Sequence, residues 1–369
     1  MPAQTWLRLT HRWLRPARTL GEAYAARDDN FLLLRLLAAL MVMWSHSYVL
    51  SGSGGNDWIA RLHLGPKVTA GSLAVDLFFL TSGLLVTGSY VERPAFWRFV
   101  RSRLLRIIPA LVVCVGLCAL VLGPLASELP VAAYFRSWRT FRYIGINLSF
   151  RPGLQWGLPG VFGRNPYPGV VNGSLWSLPG EVAMYVAVAV LGVTRVLSRR
   201  WLGTAVILGL VLLGWFAPVA VPFVPGPWLL RPCGFFAVGA LCFLNRTAIP
   251  LRTDALLLLW LTAVFSLGRP WLGLIFPLVC VYTWFWFAYQ PHLPAIPRGW
   301  DLSYGVYLWG FPTQQLMAQW QGGATTAGTN AIPAILLAFA AAAASWRFVE
   351  KPCLRFKRVR AEFPSGRSP

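Results

Sequence analysis

The sequence predicts an all-α, polytopic integral membrane protein with about ten transmembrane helices and both termini in the cytoplasm. Three observations predict it. Of the 369 residues, 56% are hydrophobic and 12% charged, and the mean hydropathy is +0.56; a soluble chain of this size cannot hide that much apolar surface. The apolar residues gather into stretches approaching the roughly 20 residues that span a bilayer. The basic residues lie between those stretches, and unevenly.

Bounded by charge, Gly and Pro, the spans run at 31–50, 73–91, 104–124, 174–194, 201–217, 229–245, 254–268, 271–288, 302–320 and 331–349. The first is too long for the apolar region of a cleaved signal and reads as a retained helix. The short seventh and eighth are joined by "GRPW" and read as a helical hairpin. With the N-terminus inside, 23 of the 33 Lys and Arg residues fall on inner segments and 9 on outer ones, Arg35 completing the set. That asymmetry orients the chain. Residues 1–30 are then a basic cytoplasmic tail, 31–350 one membrane domain, and 351–369 a second basic tail. In the first tail, Trp6, Leu9 and Trp13 suit one face of a short surface helix, a disordered tail being the alternative. The long connection at about 125–173 lies outside; its many aromatics, with Arg136, Arg139 and Arg142 at three-residue steps, suggest a packed loop or lid.

A net charge of +21 invites a nucleic-acid partner. The placement of the charges between apolar stretches points instead to orientation and anionic lipid, so no nucleic-acid partner is expected. Six cysteines, Cys114, Cys118, Cys233, Cys242, Cys280 and Cys353, form no C-x-x-C, and neither a disulfide framework nor a metal site is expected.

Residues 32–50, "LLLRLLAALMVMWSHSYVL", carry Arg35 and His46 within an apolar span. An ionisable group at membrane depth costs about 2.5 kcal/mol or more, so it is paired, lines a wet cavity or does chemistry. Eleven residues at about 100° each return to within about 20° of one direction, with a rise of about 16 Å. One helix face thus presents both, the arginine toward the inner end, which suits an elongated ligand. The structural alternatives are a snorkelling arginine and an interfacial histidine beside Trp44 and Tyr48. His46 is the one histidine of four within a span.

Asp76, in "GSLAVDLFFLTSGLL", and Glu181, in "NGSLWSLPGEVAMYV", open spans that start outside, so both match the depth of His46. A carboxylate beside an imidazole orients it and raises its basicity, which suits a general base. Alternatively, Ser177 caps a helix with Pro179 and Glu181 in its first turn, and Asp76 pairs with an arginine. No G-x-S-x-G elbow, phosphate-binding loop, dinucleotide fingerprint or H-E-x-x-H is present.

Six stretches, in order, resemble acyltransferase family 3, integral membrane enzymes that O-acylate sugars and polysaccharides. They are the arginine, ten residues, then histidine of the first helix (Arg35, His46); "VDLFFLTSGLLV", with Asp76, Ser82 and Gly83; "FWRFVRSRLLRIIPAL", with Arg98, Arg103, Arg106 and Pro109; "NGSLWSLPGEVAMY", with Trp176, Ser177, Leu178 and Glu181; "LSYGVYLWGFP"; and "RFVEKPCLRF". The resemblance covers residues 30 to 356. One departure stands out: many members place a histidine where this chain reads Leu308, Trp309, Gly310 and Phe311, which leaves His46 carrying more of the chemistry.

The resemblance implies a cytoplasmic acyl-CoA donor, acetyl-CoA first among them, no permanently bound cofactor, and a carbohydrate acceptor outside a bacterial inner membrane. On that reading His46 is base or acyl carrier, Glu181 and Asp76 its partners, and Arg35, Arg98, Arg103 and Arg106 hold the donor's phosphates. Trp176, Ser177, Asn172 and Tyr185 are the candidate acceptor contacts. A transporter or flippase of a lipid-linked sugar is the competing class, since it too needs charges and broken helices within the membrane.

Overall fold

Each of the ten apolar stretches folds as a helix. The computed structural model describes residues 17–64, 68–151, 153–217, 221–297 and 299–356; Trp6, Leu9, Trp13, Lys67, Arg298 and the tail beyond 356 lie outside them. In chain order the helices are α1 (Leu20–Ala25), α2 (Phe31–Leu50), α3 (Ala70–Val91), α4 (Phe96–Leu117), α5 (Val131–Arg136), α6 (Trp138–Leu148) and α7 (Leu178–Val193). Then follow α8 (Arg200–Phe216), α9 (Leu230–Leu244), α10 (Thr253–Phe265), α11 (Leu272–Tyr289), α12 (Ser303–Trp320), α13 (Ala327–Ser345) and α14 (Lys351–Arg355). Among the described residues, 7 helices, counted with their adjoining turns, are long and apolar enough to cross a membrane, and α8 and α10 are apolar but shorter. The protein is an all-α, multi-pass membrane protein.

The central helix is α3. Thr69 and Ser72 close its first turn as a capping box, and 72% of its most apolar window is buried. It packs most closely on α9. The reason is local: a Cβ on Gly83 would stand 2.0 Å from the Phe236 carbonyl oxygen, and one on Gly239 2.2 Å from that of Leu80. Small residues let two backbones touch where lipid supplies no hydrophobic drive to association.

Helix α12 owes its place to polar residues. Gln314 donates to the Met43 carbonyl of α2 at 2.7 Å and accepts, through its own carbonyl, from Asn330 of α13. Such side chains are tolerated because every neighbour is protein and each side-chain NH2 donates to a backbone carbonyl, the Gln314 Oε1 and Asn330 Oδ1 being left without a donor among the described residues. The α10–α11 pair forms the expected hairpin, Trp260 donating to Thr283 at 3.0 Å.

The structure refines three boundaries. The end of the N-terminal segment is folded: Arg18–Thr19 pairs antiparallel with Pro250–Leu251, and α1 buries Leu20 and Ala23 completely. Two helices run past their expected ends after π-helical turns, α4 through Cys118–Leu122 into a last turn at Gly123–Ala126 and α13 through Trp346–Glu350 into α14. The long connection is packed. Tyr134 donates to the Ala119 carbonyl, Thr140, Tyr143 and Asn147 of α6 face inward, and Arg139, Arg142, Trp138 and Phe141 face out.

Candidate active site

Arg35 and His46 open into different clefts. The first, about 830 Å³ to its open mouth, gathers Arg35 from α2, Phe78 and Ser82 from α3, Arg103 and Arg106 from α4, Glu181 and Tyr185 from α7, and Tyr304 and Tyr307 from α12. Helix spacing explains the pairs: Arg103 and Arg106 are three residues apart and Glu181 and Tyr185 four, so each pair shares a face.

Its charges are ordered by a residue that the sequence did not single out. Arg35 Nη2 and Arg106 Nη2 both donate to Asp301 Oδ2, at 2.9 and 2.8 Å, and Ser303 Oγ donates to Oδ1 at 2.7 Å. Burial opposes the Asp301 charge, but the Arg106 and Arg35 guanidinium groups overcome it and hold the carboxyl well below the usual carboxylate range. Arg35 is ion-paired rather than snorkelling. Arg103 lies over the Tyr185 ring at 5.7 Å, and the Tyr185 hydroxyl donates to Glu181 at 2.5 Å. Three guanidinium groups line the cleft with one carboxylate, Glu181; Asp301 pairs with two of them, Glu350 lies within electrostatic reach of Arg106, and the Arg35 Nε is buried with no hydrogen-bond partner. The cleft suits an anion larger than one carboxylate.

The second cleft, about 780 Å³ to its mouth, holds His46 among Val49, Leu50, Trp156, Tyr167, Val170, Gly173, Trp176 and Phe311. The imidazole meets the Phe311 ring edge to face at 5.3 Å. Its Nδ1 is buried with no hydrogen-bond partner. Packing, not a carboxylate, orients this ring.

A thin wall divides the clefts. The 3-10 turn Gly173–Ser177 turns Ser177 toward the arginines and Trp176 toward His46. Tyr307 closes the wall, its hydroxyl 2.7 Å from Ser177 Oγ and donating to the Ser174 carbonyl at 2.9 Å. On α12, Tyr304, Tyr307 and Phe311 follow at three and four residues and run from one cleft to the other.

The structure places several of the expected site residues elsewhere. Asp76 is not beside His46: it is 2% exposed and paired with Arg231 of α9 at 2.5 Å, because α3 turns it toward its closest neighbour. Glu181 sits with the arginines instead of the histidine. Arg98 is exposed and outside the cleft, since five residues turn it about 140° round α4 from Arg103. Asn172 is a structural pin, 2% exposed; it donates to the Leu308 carbonyl at 3.0 Å and accepts from Ser174 N at 3.1 Å. It caps the 3-10 turn, whereas Ser177, at the N-cap position of α7, makes no side-chain capping bond. Of the acceptor candidates, Trp176 alone lines the histidine cleft; Ser177 and Tyr185 line the other.

Asp301, Tyr304, Tyr307, Trp156, Tyr167 and Arg231 escaped the sequence reading. The two tyrosines lay in a quoted stretch with helical spacing, and Asp301 stands two residues ahead of its serine. For Trp156 and Tyr167, in irregular chain, there was no periodic signal.

Residues 29–347, nearly the whole membrane part with both clefts, match the profile of an acyltransferase domain. The chain belongs to acyltransferase family 3. Two curated proteins are similar over most of their lengths. An O-acetyl transferase of Shigella phage Sf6 is 28% identical over 302 residues, covering 79% of this chain and 86% of that protein. Nodulation protein 10 of Rhizobium leguminosarum bv. viciae is 26% identical over 382 residues, covering 91% and 96%. No solved structure matches the chain significantly. As a family 3 member the protein is an acyltransferase, and the transporter alternative gives way.

Proposed function

We propose that the protein is an O-acyltransferase of the bacterial inner membrane that moves an acyl group, acetyl in the first instance, from cytoplasmic acyl-CoA to a hydroxyl of an exported carbohydrate. One observation carries this reading. A single face of α2 presents Arg35 to a cationic cleft and His46 to an aromatic one, about 16 Å along the helix. The name of the phage relative supports acetyl and a hydroxyl acceptor.

The donor's phosphates sit against Arg35, Arg103 and Arg106, where guanidinium forks match phosphate oxygens. For the thioester arm to reach His46 the Tyr307–Ser177 contact opens, and the arm passes between the two clefts there. The acceptor hydroxyl oxygen attacks the thioester carbonyl, its proton passes to His46, the new C–O bond forms as the C–S bond breaks, and CoA leaves as thiolate. That proton transfer is worth about 10²–10⁴ in rate. In the second form an imidazole nitrogen attacks the thioester carbonyl first and expels CoA, and the acyl group waits on the ring until the acceptor oxygen takes it, the hydroxyl proton passing to the released imidazole nitrogen. An imidazole packed on Phe311 without a carboxylate suits both.

Purified protein given labelled acetyl-CoA and envelope polysaccharide tests the reading: label moves to the polysaccharide in ester linkage and free CoA appears in equal amount. Label retained on His46 without acceptor marks the acyl-histidine route. CoA binding with no transfer to any carbohydrate overturns the proposal.

A further inference from the structure

Among the described residues, none that lines the histidine cleft is a lysine, an arginine or a carboxylate. Two of its aromatic rings are open to incoming molecules, Trp156 at 41% and Tyr167 at 40% exposure. Both belong to the irregular chain after α6, where loosely held rings would be the default. Here the backbone is pinned. Val171 N donates to the Trp156 carbonyl at 2.9 Å. Asn147 of α6 clasps Gln155 from both sides, donating to its carbonyl at 2.9 Å and accepting from its N–H at 3.2 Å. Gln315 of α12 donates to the carbonyls of Tyr167 and Val170 at 2.8 and 2.7 Å, and Asn165 donates back to Gln315. Rigid aromatic rings offer a large contact area at little conformational cost, with an apolar face and a polar edge.

We infer that Trp156 and Tyr167 form the acceptor subsite, stacking on an uncharged pyranose ring and aiming one of its hydroxyls at His46. The inference rests on the O-acyltransferase reading and deepens it. A pyranose has an apolar C–H face that stacks on an aromatic ring and a rim of hydroxyls that stays wet. A cleft without cations gives a uronic acid no partner for its carboxylate while removing its water, so neutral rings are preferred.

The test measures initial rates of wild type, Trp156→Ala, Tyr167→Ala and Trp156→Phe with acetyl-CoA. Methyl hexopyranosides and the matching methyl uronosides serve as acceptors, and thermal unfolding is recorded on the same samples. The expected result is an acceptor KM raised about three- to tenfold in each alanine variant, within the range of one aromatic contact. Donor KM stays at the wild-type value, Trp156→Phe recovers much of the loss, and the neutral glycosides outrun the uronosides in wild type. Should an alanine variant not fold, Trp156→Phe and Tyr167→Phe carry the measurement through smaller KM shifts. Wild-type transfer with acceptor KM unmoved in every folded variant, or with uronosides preferred, overturns the subsite and leaves the O-acyltransferase reading intact. Wild type that transfers to no sugar overturns both, through a different readout.

Discussion

His46 and Asp76 stand at similar positions along their spans, yet they do different work. His46 lines a cleft and has no polar partner at Nδ1, whereas Asp76 is buried against Arg231. His46→Gln is therefore expected to cut acetyl transfer by about a hundredfold or more, with donor affinity and melting temperature close to wild type. Asp76→Asn should do the reverse. It leaves Arg231 short of its counter-charge and lowers stability by about 1–3 kcal/mol, less than for a fully buried pair because Arg231 is 36% exposed, while the folded fraction transfers at near the normal rate. Rate and melting curves on both variants check this, and a folded, active His46→Gln sinks the mechanism. Asp301 adds a second contrast. Its carboxyl titrates below the unfolded value, so its stabilisation is complete above the ordinary carboxylate range and is lost only as pH falls through the lowered value. CoA affinity between about pH 5 and 8 should show no step from this group. Asp301→Asn leaves Arg35 and Arg106 facing each other without their shared anion. Its melting temperature should drop, and added CoA should raise it by more than in wild type, because phosphate replaces the missing charge. Equal CoA-induced shifts in the two proteins would remove the donor from this cleft.

The helices were largely legible because a bilayer imposes length and apolarity on them. The two residues of α2 that do not fit an apolar span, Arg35 and His46, pointed to both clefts. What stayed hidden depends on contacts far apart in the chain. Asp301 meets Arg106 across 195 residues and Arg35 across 266, and no local pattern announces such a pairing. Depth along a span placed Asp76 and Glu181 near His46, but depth says nothing of the azimuth that turns Asp76 to Arg231 and Glu181 to the cleft of Arg103 and Arg106. Helix α12 is polar for a span because its glutamines bind neighbouring helices, so composition alone understates how deeply it is buried. The α3–α9 crossing offers a test at this scale. Gly83→Val drives a side chain into the Phe236 carbonyl and should cost about 3 kcal/mol or more, by overpacking at a backbone contact. Gly116→Val, where the added Cβ meets nothing within 4 Å, is the matched control and should melt near wild type. Thermal unfolding in one detergent compares the two, and equal melting points would mean that the helices do not cross at these glycines.

For the whole molecule, the reading requires the arginine cleft to open toward the cytoplasm and the histidine cleft toward the outside. The excess of basic residues on segments such as 195–200 supports that orientation. In a cysteine-free background, single cysteines replacing Arg139 of α6 and Arg199 ahead of α8 report it. The first should react with an impermeant maleimide on intact cells, and the second only after the membrane is opened. The opposite pattern inverts the molecule and places the cationic cleft where no acyl-CoA is found.

Helix α12 begins beside the ion pair of Asp301 and, two turns on, lays Phe311 against the imidazole. One rod therefore touches the binding places proposed for two substrates that never share a compartment. Linkage then applies: whatever factor the donor adds to acceptor affinity, the acceptor must add to donor affinity. Where that factor exceeds one, the supply of activated acyl groups on one side of a membrane is felt as avidity for glycan on the other, and the absence of glycan as reluctance to hold the donor. Signalling of that kind needs no messenger to cross the bilayer, only a helix in contact with both places.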